Sequence, residues 1–134
     1  MRIGGLEIVA HEGVYPPSED TFLLMDALKG VEAGTALEVC CGTGAVGLSA
    51  ARRVQTIVEV DIRPLAAANA RLNFSRNGLA GKALFIAGDL FSCVRGRFDL
   101  VVMNPPYLPD GEGDPRDPAW SGGPMGRATI DRFI

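Results

Sequence analysis

Short apolar runs alternate with amphipathic stretches along this chain of 134 residues. Ala36-Leu37-Glu38-Val39-Cys40, Thr56-Ile57-Val58-Glu59-Val60, Ala83-Leu84-Phe85-Ile86-Ala87 and Phe98 to Met103 are each too short for a helix and predict buried strands. After the first run, Cys41-Gly42-Thr43-Gly44-Ala45-Val46-Gly47 forms a glycine-rich turn that opens a helix through about Arg53. After the second, Leu65 to Asn77 reads as a helix, with Pro64 at its start and Gly78 as a left-handed stop. Upstream, the alternation Leu6-Glu7-Ile8-Val9 predicts a short strand or hairpin. Phe22 to Lys29 predicts an apolar-faced helix, capped by Ser18 or Asp20 and closed by Gly30. Arg127 to Ile134 begins another helix. Strands alternating with helices give an α/β fold with a mostly parallel sheet.

Composition narrows the class. The length suits one domain over residues 1–134, and 47% apolar with 22% charged residues suits a globular protein. A net charge of −3 provides no basic footprint for a dedicated nucleic-acid binder. His11 is the only histidine, which argues against a Ser/His or Cys/His relay and against a histidine metal cluster. Cys40, Cys41 and Cys93 lack metal-ligand spacing, so reduced thiols and a cytoplasmic location are expected, with no metal site. No apolar run is long enough for a membrane span.

The strand ends carry the candidate chemistry. Gly42-x-Gly44-x-x-Gly47 lets a ligand approach the backbone closely, although this pattern alone also matches dinucleotide binders. Asp61 ends the second strand, where a carboxylate can accept both hydroxyls of a ribose; it could equally cap the helix begun by Pro64. Asp89 follows the third strand and can accept from an adenine amino group, with Leu90 against the ring. After the fourth, Asn104-Pro105-Pro106-Tyr107 suits a planar NH2 group. The Asn carbonyl accepts, Pro105 restricts the turn and leaves a backbone carbonyl for the ligand, and Tyr107 offers a flat face. In a parallel sheet all four stand at the carboxyl ends of strands, the layout of an S-adenosylmethionine pocket facing a nucleophile site.

These residues, with Tyr15-Pro16-Pro17-Ser18-Glu19-Asp20-Thr21-Phe22-Leu23-Leu24, Asp61-Ile62 and Ala119-Trp120-Ser121-Gly122-Gly123, resemble the HemK/PrmC methyltransferases. The likeness is to their shorter archaeal and eukaryotic branch, and it covers nearly the whole chain from residue 14. It implies a class I, Rossmann-like fold and methyl transfer from S-adenosylmethionine to the glutamine amide of a Gly-Gly-Gln motif in a translation release factor. It further implies that Thr21, Glu38, Gly42, Gly44, Asp61, Ile62, Asp89, Leu90 and Asn104 form the cofactor site. Asn104, Pro105, Pro106 and Tyr107 would hold the acceptor.

Two departures stand out. Cys40 occupies a position where the family usually has glycine, and would crowd the methionine end of the cofactor. Relatives continue with three more strands, so a shortened fold with its C-terminal strands missing is expected. The fourth strand, apolar on both faces, would then expose an edge able to self-associate. By analogy alone, a small zinc-binding activator protein is a possible partner at the third-strand edge. Leu108 to Gly126 loses periodicity and reads as a structureless functional loop containing Trp120, the only tryptophan. Rival readings are methylation of an exocyclic base amine in RNA or DNA, of a protein lysine, or an inactive cofactor-binding module.

Overall fold

The computed structural model describes residues 1–110 and 119–134. The chain forms two compact units, Met1–Asn104 and Pro105–Ile134. The first begins with a hairpin of β1 (Arg2–Ile3) and β2 (Leu6–Glu7), followed by α1 (Glu19–Ala27) and β3 (Ala33–Val39). Next come α2 (Ala45–Ala50), a 3-10 turn over Ala51–Arg53, β4 (Val54–Asp61), α3 (Pro64–Arg76), β5 (Ala83–Ala87) and β6 (Leu100–Met103). The second unit contains α4 (Ala128–Phe133).

Four strands make a wholly parallel sheet in the order β5-β4-β3-β6. Successive strands β3, β4 and β5 build outward in one direction, and β6 then returns to the far side of β3. The order therefore reverses between β3 and β6, which is where open α/β sheets bind ligands. Register aligns Ala83, Ile57, Ala36 and Leu100 in one row across the sheet. Two residues further along, Phe85, Glu59, Glu38 and Val102 form the next row on the same face. Ala36 and Ile57 join Leu48 and Phe74 in the main core, and the Phe74 and Phe85 rings meet edge to face at 5.3 Å.

The expected helix after the glycine turn is shorter and tighter than its pattern suggests. It leaves α geometry at Ala50, and the freed carbonyls find cations: Lys82 Nζ donates to Ala51 O and Val54 O at 2.8 and 2.7 Å. Arg53 likewise donates to Leu28 O and Val31 O beyond α1. Although its pattern is apolar on both faces, the fourth strand, β6, is an outer strand among the described residues, with Val102 7% and Val101 40% exposed.

The N-terminal segment is secured without strand pairing to the main sheet. Asn69 and Asn73 of α3 and its C-cap residue Asn77 recur at four-residue spacing. Their Oδ1 atoms accept from His11 N, Val9 N and Glu7 N at 2.8–3.0 Å. Asn69 and Asn73 Nδ2 return bonds to Val9 O, and Asn77 Nδ2 to Glu7 O. Asn73 Nδ2 also donates to Thr43 O, tying the glycine turn to the same ladder.

In the second unit, the flanks of the expected structureless loop are paired. Leu108 bridges Ser121, with Leu108 N donating to Trp120 O and Gly122 N to Leu108 O. A Cβ on Gly122 would lie 2.8 Å from Pro106 O, and one on Gly126 would strike Tyr107 O. Glycine at both positions lets the backbones close on one another. The middle of that loop, 111–118, lies outside the described residues.

Candidate active site

The glycine turn leaves β3 abruptly. Cys40 adopts φ +58, a left-handed conformation that costs any side-chain residue, followed by Gly42 at +54 and Gly44 at +72. The family's usual glycine at this point thus has a backbone reason, and Cys40 takes the same conformation at a cost. Space above the turn is open at Gly42, where a Cβ would meet nothing within 4 Å. At Gly44 the turn instead packs against α3, where an added Cβ would lie 2.8 Å from Ala70 Cβ.

Hydrogen bonds join three strand tips. Gly42 N donates to Asp61 Oδ2 at 2.9 Å, and Arg63 N donates to Asp61 Oδ1 at 3.0 Å. Cys41 N donates to Val60 O, and Gly88 N to Asp61 O, which brings the Asp89 turn beside β4. Asp61 is 9% exposed; burial raises its pKa above 3.8, and those two backbone bonds oppose the rise. Each of its oxygens keeps a further lone pair for a ligand. Ile62 is 63% exposed at the tip, whereas Leu90 is 8% exposed and held at φ +48. The Cys40 thiol sits among these carboxylates: burial first, then Asp61, Glu38 and Asp89, push its pKa to about 12. It is therefore a neutral thiol at physiological pH.

Glu38 lies beneath the turn rather than at its surface. It is 1% exposed, and its Oε2 accepts from Gly47 N at 2.7 Å. The helix N-cap is Gly44, which has no side chain to satisfy that N–H, so a strand carboxylate supplies the cap.

At the end of β6, Asn104 Nδ2 donates to Asp20 Oδ2 at 3.2 Å, across 84 residues of sequence. A carboxylate accepts only, so the NH2 end of the amide must face Asp20 and its carbonyl end is presented elsewhere. Asp20 is itself fixed: its Oδ1 accepts from Thr21 N at 2.7 Å and Tyr15 OH at 3.0 Å. Thr21 is 5% exposed and its hydroxyl accepts from Ser18 N, so its position serves the first turn of α1. Of the expected site residues, Thr21, Glu38, Gly42, Gly44, Asp61, Ile62, Asp89, Leu90 and Asn104 lie within the first unit. Pro105, Pro106 and Tyr107 open the second, where the Tyr107 side chain is exposed.

Sequence reasoning read Asp20 only as a possible helix cap and Glu59 only as a strand residue. Glu59 is fully buried beside Glu38, and an acidic residue in the middle of an apolar strand run was its one visible signal.

Comparison with known proteins bears on this geometry. The model for the methyltransferase small domain matches residues 5–115. The chain belongs to the methyltransferase small domain family. It is 38% identical over 139 residues to the putative protein N5-glutamine methyltransferase MJ0928 of Methanocaldococcus jannaschii, covering 100% of this chain and 70% of that one. The release factor glutamine methyltransferase of Deinococcus radiodurans is 35% identical over 121 residues, or 86% of this chain and 43% of its own. This chain thus spans only part of these methyltransferases. Among solved structures, the Thermus thermophilus 16S rRNA N2 G1207 methyltransferase in complex with AdoMet and guanosine superposes with a TM-score of 0.70. It is 27% identical, over 90% of this chain and 36% of that one. The fold is that of class I, Rossmann-like methyltransferases that use S-adenosylmethionine, and the relatives include both glutamine methyltransferases and ribosomal RNA methyltransferases.

Proposed function

We propose that this chain transfers methyl from S-adenosylmethionine to the side-chain amide nitrogen of a glutamine, in the Gly-Gly-Gln motif of a translation release factor. The observation that carries the reading is Asn104 at the strand-order reversal, whose NH2 donates to Asp20 so that its carbonyl oxygen faces away from that carboxylate. A glutamine NH2 has two hydrogens to place. Asn104 Oδ1 can accept one, and the Pro105 carbonyl, next in the chain, can accept the other.

The residues fit the cofactor. Asp61 retains two acceptor positions for two ribose hydroxyls, and Asp89 offers a carboxylate for the adenine amine. Gly42 leaves the backbone uncovered for close approach. When bound, S-adenosylmethionine supplies an electrophilic methyl on a positive sulfonium and leaves as a neutral thioether. The chain's part is to hold the acceptor nitrogen in line, because an amide lone pair is delocalised and a poor nucleophile. By accepting both N–H bonds, Asn104 and Pro105 fix that nitrogen and favour positive charge growing on it. As the new C–N bond forms and the S–C bond breaks, the nitrogen becomes acidic enough to release a proton to bulk water without a strong base.

Asn104→Ala is expected to lower methyl transfer about 100-fold or more while cofactor affinity changes by less than about fivefold. Near-wild-type turnover in a radiolabelled-methyl assay would remove Asn104 from the site. An alternative acceptor is a guanine exocyclic amine, favoured by the likeness to the guanosine-bound rRNA enzyme. The net charge of −3 weighs against it. Parallel assays with release factor and with 16S rRNA separate the two acceptors. A small activator on the β5 edge, or self-association along the β6 edge, would each show as a mass change in solution scattering.

A further inference from the structure

Glu59 is a fully buried carboxyl residue that the proposed chemistry leaves unused. It is 0% exposed, and neither carboxyl oxygen makes a hydrogen bond of normal geometry among the described residues. Its register partner is Glu38, on the same face of the sheet. The two carboxyl groups converge under one backbone atom. A Cβ on Gly47 would strike Glu59 Oε1 and lie 2.6 Å from Glu38 Oε2 and 2.9 Å from Ile57 Cδ1, so a side chain there would force these groups to shift. Two carboxylates at 0 and 1% exposure are poorly placed for both to be ionised, since burial penalises each charge and each repels the other.

We propose that Glu38 and Glu59 share a single proton, with Glu59 a positioning residue that donates to Glu38 and so holds Gly47 and the cofactor-binding turn in place. The inference rests on the S-adenosylmethionine reading for its functional consequence, but not for the pair itself. Glu38 has one oxygen committed to Gly47 N, and a carboxyl proton from Glu59 stabilises it as an anion without solvent. The groups acting on Glu59 are Glu38 from β3 and the buried Cys41 thiol from the turn; Asp61, at the tip of β4, acts on Glu38. None is a cation, so the shared proton is the only positive charge that these groups supply. Burial raises both carboxyl pKa values; Glu38 adds to the rise at Glu59, whereas the bonds from Glu59 and Gly47 N oppose it at Glu38 and Asp61 adds to it there, so the proton is held on Glu59.

The test compares the full chain with Glu59→Gln, which keeps size and a donor but cannot ionise. Calorimetry with S-adenosylmethionine at pH 7 and pH 9 is expected to show wild-type affinity falling about tenfold, while the variant changes by less than about threefold. Cys40, Cys41 and Asp61 are present in both proteins, so the difference between them isolates the pair. In the ligand-free proteins, the Gly47 amide resonance should titrate in two steps in the wild type and in one in Glu59→Gln. Equal pH dependence of affinity in both, or one Gly47 step in both, overturns the proposal. If the wild type binds no cofactor at either pH, the cofactor reading fails, and the amide titration still decides the pair. Infrared spectra of the wild type alone cover a variant that does not fold: a protonated carboxyl band must persist above pH 7, and its absence overturns the proposal.

Discussion

Two neighbouring rows of the sheet face the same helices and bury their central residues equally, yet they are opposite in chemistry. Ala83, Ile57, Ala36 and Leu100 form an apolar row in which Ala36 and Ile57 are 0 and 1% exposed. One step toward the strand ends, Phe85, Glu59, Glu38 and Val102 place two carboxyl groups at 0 and 1% exposure in its centre. Burial does not distinguish core from site here. Position along the strand does: the apolar row gains stability from leaving water, and the carboxyl row gives part of it back to shape the turn above. The first row answers to packing, and the second answers to proton and hydrogen-bond geometry.

Truncating the apolar row should give the largest loss of stability. Ile57→Ala removes a fully buried side chain that packs in the main core, and about 2–5 kcal/mol of unfolding free energy should go with it. Below its melting transition, however, the variant should bind S-adenosylmethionine within about threefold of wild type, as calorimetry would reveal. A large affinity loss would erase the division of labour between the rows. Gly47→Ala addresses the carboxyl row from above. Its methyl would enter the space of both carboxyl groups, so a destabilisation of about 1–3 kcal/mol is expected in urea melts. Here cofactor affinity should fall about tenfold, because relieving the clash moves the turn itself.

Much of the first row was legible in the sequence, and much of the second was not. Strands end where Asp61, Gly88 and Asn104 stand, so runs bounded by turn residues located both the sheet and the polar tips. Glycine at 44 and 78 and proline at 64 marked the helices for the same reason. Long-range partners left no such mark. Asn69, Asn73 and Asn77 look like a solvated helix face at four-residue spacing, yet Asn69 and Asn73 are 0% exposed because backbone amides from Glu7 to His11 meet them. Asp20 reads as a cap because its contact with Asn104 spans the whole unit. The bridge between Leu108 and Ser121 is backbone bonding around Gly122 and Gly126, which local apolar periodicity does not record.

The smallest expected effect is also the one that separates the rows most cleanly, because the apolar row cannot titrate. Folding raises the pKa of Glu38 and Glu59 above the ordinary 4.5, so above that pH the native state binds more protons than the unfolded chain. Their contribution to stability is therefore fully present below about pH 4.5 and is lost as pH climbs through the raised values. Glu7 shifts the other way through its Arg76 partner, and Asp61 shifts upward, but both remain in any variant of Glu59. Urea midpoints at pH 5 and pH 8 should thus fall for the wild type by more than for Glu59→Gln, which has one fewer group to lose a proton. Ile57→Ala should keep the wild-type slope at a lower stability. A Glu59→Gln slope equal to that of wild type would mean that Glu59 is ionised throughout. The carboxyl row would then need a counter-charge that burial at Glu38, Cys41 and Gly47 does not supply.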